Sequence, residues 1–220
     1  MAGPSCACCY DDEFDDGIAE RDLRAYRRRG PGATTRALAD ALAAGGASGR
    51  TVLDIGGGIG GLHRLLIAAG AASAVDVDAS KPYLRVAERE AARLGLADQV
   101  RFVHGDAVAA SGALEPADLV ALDRVVCCYG DVHALVGAAA RLTRVRLGIV
   151  VPPDGRLARL AVGAINVWQV VLRSRLRMHA HPHAAITAAA AGAGLRSTGV
   201  RSVGTWRLLV FERPAGQAGG

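Results

Sequence analysis

The chain has 220 residues, 51% of them hydrophobic, and a formal net charge of +5 from 26 basic and 21 acidic side chains. Length and hydrophobicity exclude a disordered chain and a minimal scaffold, and fit one domain with a short attachment. The basic excess is nearly all arginine, with Lys81 the single lysine; scattered among acids, it reads as solvated surface of compositional origin, so no nucleic-acid partner is expected.

In chain order, residues 1–16 hold Cys6, Cys8 and Cys9 followed by Asp11, Asp12, Glu13, Asp15 and Asp16, and read as a flexible arm. No basic segment followed by an apolar core opens the chain, so no secretory signal is expected. The longest uncharged apolar stretch, Leu160 to Leu172, is too short for a transmembrane segment. A reducing, cytoplasmic setting is the expectation. It agrees with cysteines gathered in two tight clusters, the second being Cys127 and Cys128, instead of a spread disulfide framework.

Residues 17–49 predict a helical cap of two helices, broken at Gly30-Pro31-Gly32 and restarted at a Thr34-Thr35 cap signal. Over 50–214 the period changes. Strands are expected at Thr51–Ile55, Ala74–Val77, Val100–His104, Asp118–Leu122 and Leu147–Val151, with helices from Leu62 to Gly70, Ser80 to Leu94 and Val132 to Leu142. Strands buried on both faces and alternating with helices imply an α/β fold with a mostly parallel sheet. Two further β runs, Leu195–Val203 and Thr205–Arg213, are separated only by Gly204, which forces one antiparallel strand near an edge. Residues 215–220 read as a disordered tail.

The chemistry concentrates at Asp54-Ile55-Gly56-Gly57-Gly58-Ile59-Gly60-Gly61. Glycines at a strand-to-helix junction let the backbone approach a ligand and present helix N-terminal amides to it. Gly56, Gly58 and Gly61 satisfy the dinucleotide pattern G-x-G-x-x-G, while Asp54 with Gly56, Gly58 and Gly60 satisfies D-x-G-x-G, so the loop alone leaves two cofactors open. Asp76, near the end of the second strand, is expected to hold the ribose of an adenosine cofactor in either case. Gly105-Asp106 at the end of the third strand favours the second pattern, and the Tyr-x-x-x-Lys pair of short-chain dehydrogenases is absent, because Val77 stands four residues before Lys81.

On these motifs the segment Thr51 to Val151 resembles the class I S-adenosylmethionine-dependent methyltransferases, most closely the bacterial group akin to magnesium-protoporphyrin O-methyltransferase. Ala117 to Asp131 occupies the fourth-strand motif of that family. The resemblance implies a Rossmann-like, seven-stranded, mostly parallel sheet with helices on both faces and S-adenosylmethionine as cofactor. It further implies that Gly56, Gly58 and Gly60 shape the cofactor loop and Asp54 orients it. Asp76 would hold the ribose, Asp106 with the Ala107 amide would read adenine, and Asp123 and Arg124 would lie beside the methionine moiety. Many relatives carry histidines and a proline where this chain has Cys127, Cys128 and Gly130, so no role of those histidines carries over.

Methyl transfer from a sulfonium can rest on alignment alone, and a carboxylate acceptor needs no base. For a phenol or amine, Asp123, Tyr129 and His133 are the nearest candidate bases. The expected partner is a small-molecule acceptor. Tyr26-Arg27-Arg28-Arg29 and the amphipathic Arg156–His183 segment, with Ile165, Val167, Trp168, Val171 and Leu172, suit an apolar acid under a lid; an ordinary surface helix with Trp168 packed on the core is the alternative. Were the arm to fold over the site, its thiols and Cys127 and Cys128 could build a zinc or redox centre, but the spacing matches no structural zinc motif and no metal is assigned. His179, His181 and His183 read as a solvated turn. Two rival functions share the loop: a nicotinamide-dependent oxidoreductase and a non-catalytic S-adenosylmethionine-binding protein.

Overall fold

A computed structural model describes residues 13–172, 174 and 177–214; Cys6, Cys8 and Cys9 and the 215–220 tail lie outside the described residues. The β-type runs form one seven-stranded sheet: β1 (Thr51–Ile55), β2 (Ser73–Asp78), β3 (Val100–His104), β4 (Ala117–Asp123), β5 (Thr143–Val151), β6 (Arg196–Val203) and β7 (Trp206–Glu212). Their order is β3-β2-β1-β4-β5-β7-β6. Only β7 runs against its neighbours β5 and β6, because the β6–β7 link is a tight turn with Gly204 at φ 57°. The order reverses between β1 and β4. Crossovers therefore leave to opposite faces there, and a crevice opens at the strands' carboxyl ends.

The helices are α1 (Asp16–Arg29), α2 (Ala33–Ala43), α3 (Gly61–Ala68), α4 (Lys81–Arg93), the one-turn α5 (Ala107–Ala110), α6 (Val132–Arg141), α7 (Arg156–Val171) and α8 (His183–Gly192). Side-chain caps start several of them: Asp15 accepts from the Ile18 amide at 2.8 Å and Asp131 from Ala134 at 2.9 Å. The expected Thr34-Thr35 cap is corrected. α2 begins after Gly32 with no side-chain cap, and Thr35, one residue further into the first turn, is buried and turned toward the sheet.

Strand alternation divides the core. Leu53, Ile55, Val120, Leu122, Leu147 and Ile149 pack with α6 and α8 residues such as Leu135, Val136 and Ile186 on one face. Val52, Leu119, Val150 and Leu208 meet Leu38, Leu42, Leu62 and Leu66 on the other. α2 lies directly on β5 at Gly148, where a Cβ would stand 2.3 Å from Leu38 Cδ1. A side chain there would require Leu38 and Leu42 of the cap to shift. α1 instead rests on α4. Ala19, Leu23 and Val86 form the apolar contact, and the buried Glu90 carboxylate accepts from Arg27 on α1 and from Arg93 Nε at 2.8 Å on α4.

Hydrogen bonds from Arg93 and then Arg27 hold the Glu90 carboxyl down at about 2. A carboxylate lowered on folding stabilises above its unfolded-state range and loses that contribution as pH falls through its folded value. Glu90→Gln is therefore expected to cost about 1 kcal/mol at pH 7, since both arginines are half exposed and screened. In denaturant unfolding the gap between variant and parent should close as pH falls from about 4.5 toward 2.

Candidate active site

At the end of β1 the chain turns through Gly56, Gly57, Gly58, Ile59 and Gly60 into α3. Gly60 adopts φ 78° as the residue preceding the helix, a conformation costly for residues with a Cβ. Gly57 is required for space, since a Cβ there would lie 2.5 Å from Asp76 Oδ1. Asp54 and Asp76 are register partners on β1 and β2, so both carboxylates project to the same face beneath this turn. His63 on α3 meets them, with Nδ1 3.1 Å from Asp54 Oδ2 and 3.8 Å from Asp76 Oδ2. All three side chains are sealed from solvent. Burial, then repulsion from Asp54 and Asp78, push the Asp76 pKa well above the usual carboxylate range, and the Gly57 amide offsets this only in part.

This placement corrects the expected role of Asp76, whose carboxylate supports the loop from below and does not line the cavity. The acid at the rim is Asp78, where β2 actually ends. Its Oδ2 accepts from the Gly58 amide at 2.9 Å and its Oδ1 from the Ser80 amide at 2.8 Å. Burial raises the Asp78 pKa and these two amides pull it back. Tyr83 flanks the same rim; its hydroxyl donates to Asp22 of the cap at 2.6 Å, and burial followed by that bond raises the phenol pKa.

The remaining expected residues gather around one cavity of about 1050 Å³, lined by Asp54, Gly56, Gly58, Asp78, Asp106, Ala107, Asp123, Arg124 and Tyr129. Gly60 lies at the loop's exit and is not in the lining. Asp106 caps α5, Oδ1 accepting from the amides of Val108 at 2.8 Å and Ala109 at 3.0 Å, and it also accepts from the Tyr129 hydroxyl at 3.2 Å. At the end of β4, Asp123 receives the Thr35 hydroxyl on Oδ2 at 2.6 Å and Arg124 Nε on Oδ1 at 3.2 Å. Arg124 sits at φ 64°, the one positive value outside glycine among the described residues. Backbone strain marks this corner as fixed by its surroundings.

Both oxygens of Asp123 are engaged, Tyr129 donates to Asp106, and His133 is an exposed residue of α6 outside the cavity. His133 is thereby removed as a base. Cys127 and Cys128 do line the cavity, with sulfurs 3.9 Å apart. The hydrogen bond between them, and then burial, raise the Cys127 thiol, and the same bond lowers Cys128.

Of the cap residues singled out in the sequence, Tyr26 and Arg29 reach the cavity, while Phe14, Pro31, Thr35 and Arg36 carried no signal for it. Phe14, Tyr26, Arg29, Pro31, Thr35 and Arg36 close one side of the cavity, and Met178 and Trp206 close another. Arg27 does not join them; it is spent on Glu90. Trp168 is 63% exposed, which removes the alternative in which it packs on the core. Nor is the histidine tract a solvated turn. The His179 amide donates to the Cys127 carbonyl at 2.7 Å, His181 Nε2 lies 2.8 Å from the Tyr129 carbonyl, and His183 Nε2 lies 3.0 Å from that of Pro152. The segment is pinned over the β4 and β5 exits.

Residues 52–146 match the family model of the methyltransferase domain. That stretch, a little under half of the chain, is the part that resembles a methyltransferase domain. The chain's fold is that of magnesium protoporphyrin IX methyltransferase from Synechocystis PCC 6803, solved with bound SAH: 21% identity over 94% of this chain and 99% of that one, TM-score 0.72. An O-methyltransferase family protein from Burkholderia thailandensis is similar at 20% identity, over 94% of this chain and 64% of that one, TM-score 0.72. A family 2 O-methyltransferase from Planctomyces limnophilus, in complex with apigenin, is similar at 22% identity, over 90% and 62%, TM-score 0.65. No curated protein matches the sequence significantly. The fold is the one that the motifs led us to expect of a class I, S-adenosylmethionine-dependent methyltransferase.

A carboxyl raised on folding stabilises at low pH and costs stability as pH climbs through its folded value. Asp76→Asn is therefore expected to unfold at higher denaturant than the parent at pH 8 and to lose that advantage below pH 4, where both states of the parent carry a neutral acid.

Proposed function

We propose that the protein moves the methyl group of S-adenosylmethionine to a small, apolar, acidic molecule. The observation that carries the reading is the cavity itself, in which loop amides and acids of three successive strand ends line one side and the cap lines the other. The cofactor fits the donors present. A glycine turn seated without side chains, the Asp78 carboxylate held by two amides, and Asp106 beside the Ala107 amide are the groups an adenosine and its ribose hydroxyls require. Gly56, Gly58 and Gly60 shape the turn and Asp54, through His63, holds it from beneath. The ribose role moves from Asp76 to Asp78. Asp123 and Arg124 stand beside the methionine end.

The bound cofactor supplies an electrophilic methyl on a sulfonium, displaced in line by an electron-rich atom. The protein's share is alignment and exclusion of water, which in well-oriented systems is worth up to roughly 7 to 11 kcal/mol. Asp123 is committed to Thr35 and Arg124, Tyr129 to Asp106, and His133 lies outside the cavity, so none of the three candidate bases is poised over the acceptor side. That suits an acceptor already anionic at neutral pH. Arg29 and Arg36 at the rim meet its charge, while Tyr26, Met178 and Trp206 meet its apolar body.

Calorimetry with S-adenosylhomocysteine is expected to show binding and calorimetry with NAD none. Asp78→Ala should weaken the former roughly tenfold to a hundredfold, by loss of charge-assisted hydrogen bonds. Undiminished affinity would return the ribose role to another residue. A methyl-release assay across carboxylic, phenolic and amine acceptors tests the rest. Turnover confined to amines, or none with any acceptor despite tight cofactor binding, would sink the acidic-acceptor reading.

A further inference from the structure

α7 is built inside out. Along its 16 residues, the polar Asn166 and Gln169 sit on the half-buried side with Val162, while Leu157, Leu160, Val167, Trp168 and Val171 face water. At 100° per residue these five fall within one arc of about 100°. Their exposures run from 63% for Trp168 to 83% for Leu157. A helix resting on its own domain turns its apolar stripe inward; this one turns it out. Asn166 fixes that orientation, its side chain bonding both the amide and the carbonyl of Met178 at 2.8 Å.

The charge along the helix is basic, with Asp154, just before its first turn and within reach of Arg159, the nearest acid in sequence. From Gly155 to Phe211 the sequence contains no aspartate or glutamate, and it carries Arg156, Arg159, Arg173, Arg175 and Arg177 on or next to the helix. Arg156 and Arg159 are exposed. We propose that α7 lies flat in the interface of an anionic lipid bilayer, with its apolar stripe among the acyl chains and its arginines at the headgroups. The helix is about 24 Å long at 1.5 Å per residue, and no helix of the described residues is long and apolar enough to span a membrane, so the mode is interfacial. A second copy would cover the stripe but set arginine against arginine. A nucleic acid would answer the arginines but leave Leu157, Leu160 and Trp168 in water. An anionic bilayer answers both.

The location gives the contact a use, which rests on the proposed function. Met178, tied to Asn166, also lines the cavity, so docking would place the acceptor side against the membrane, where an apolar acid partitions.

Sedimentation of the full chain, without cofactor, with vesicles of phosphatidylcholine alone or with phosphatidylglycerol added tests this independently of methyl transfer. The protein is expected to pellet with the anionic vesicles and to be released by raised salt. Its emission should shift to the blue on binding, and the shift should vanish in Trp168→Phe. Leu160→Glu with Val167→Glu should abolish pelleting. Arg156→Gln with Arg159→Gln, which spares the stripe and any packing, should weaken it roughly thirtyfold, at about 1 kcal/mol per arginine. The proposal is overturned if the parent stays in the supernatant with anionic vesicles, or if the arginine pair makes no difference. It is equally overturned if sedimentation without lipid shows a dimer that the glutamate pair dissolves.

Discussion

The cavity depends on a turn without side chains being seated over three buried ionisable groups. Asp54, Asp76 and His63 occupy the place where β1 and β2 meet α3, and nothing there reaches solvent. Taking such groups out of water is costly, and their mutual contacts repay the cost only in part: Asp76 has no more than the Gly57 amide near it, and Asp54 and His63 each keep one polar atom without a hydrogen bond. The cost is tolerated because the alternative seat is unavailable. A loop whose glycines come this close to a carboxylate and an imidazole cannot slide without colliding, and its amides stay aimed at the cavity. Preorganisation of this kind removes an entropy that ligand binding would otherwise have to supply.

From that seat the site extends by pairs of contacts between remote segments. Asp78 ties the loop to the α4 N-terminus, Tyr83 ties α4 to Asp22 of α1, and Thr35 ties α2 to Asp123. The cap is thus stitched to the cofactor side at its polar points and to the sheet at Gly148. One consequence concerns chemistry. The Asp123 carboxylate is engaged in holding the cap down, which on the proposed function leaves alignment as the protein's main lever.

Most of the fold was legible because its determinants are local. Apolar runs of strand length, helical spacing after the glycine turn and the single glycine between the last two strands dictate the elements and the reversed strand, and adjacent strands dictate the layers. The place of Asp54, Gly56, Gly58, Asp106, Asp123 and Arg124 at the cavity was legible for the same reason, each standing at or just past a strand end. Asp76 was misread by one residue of strand: with β2 taken to stop at Val77, its last acid is Asp76, whereas one more pair with β3 makes it Asp78. The Ser80 cap of α4 was the available signal, since an acid two residues before a cap is placed to hold the turn. Thr35 had no signal. Its partner lies 88 residues away, and a threonine near a helix start has an obvious local use that the chain did not make of it.

α7 was unreadable for a different reason. Periodicity reports that a helix has an apolar face but is silent on which way the face points, and the default assumption turns it toward the core. Here the decision is made by a single amide: Asn166 bonds both backbone groups of Met178, which a leucine could not do, and rotation of the helix to bury Trp168 would break both bonds and leave a peptide unit unsatisfied. The sequence places apolar residues on the opposite side of the helix from that asparagine, and an excess of arginine over acid along it. Those choices conflict with packing onto this domain and agree with each other, which is the pattern expected when the partner of a surface is supplied from outside the chain.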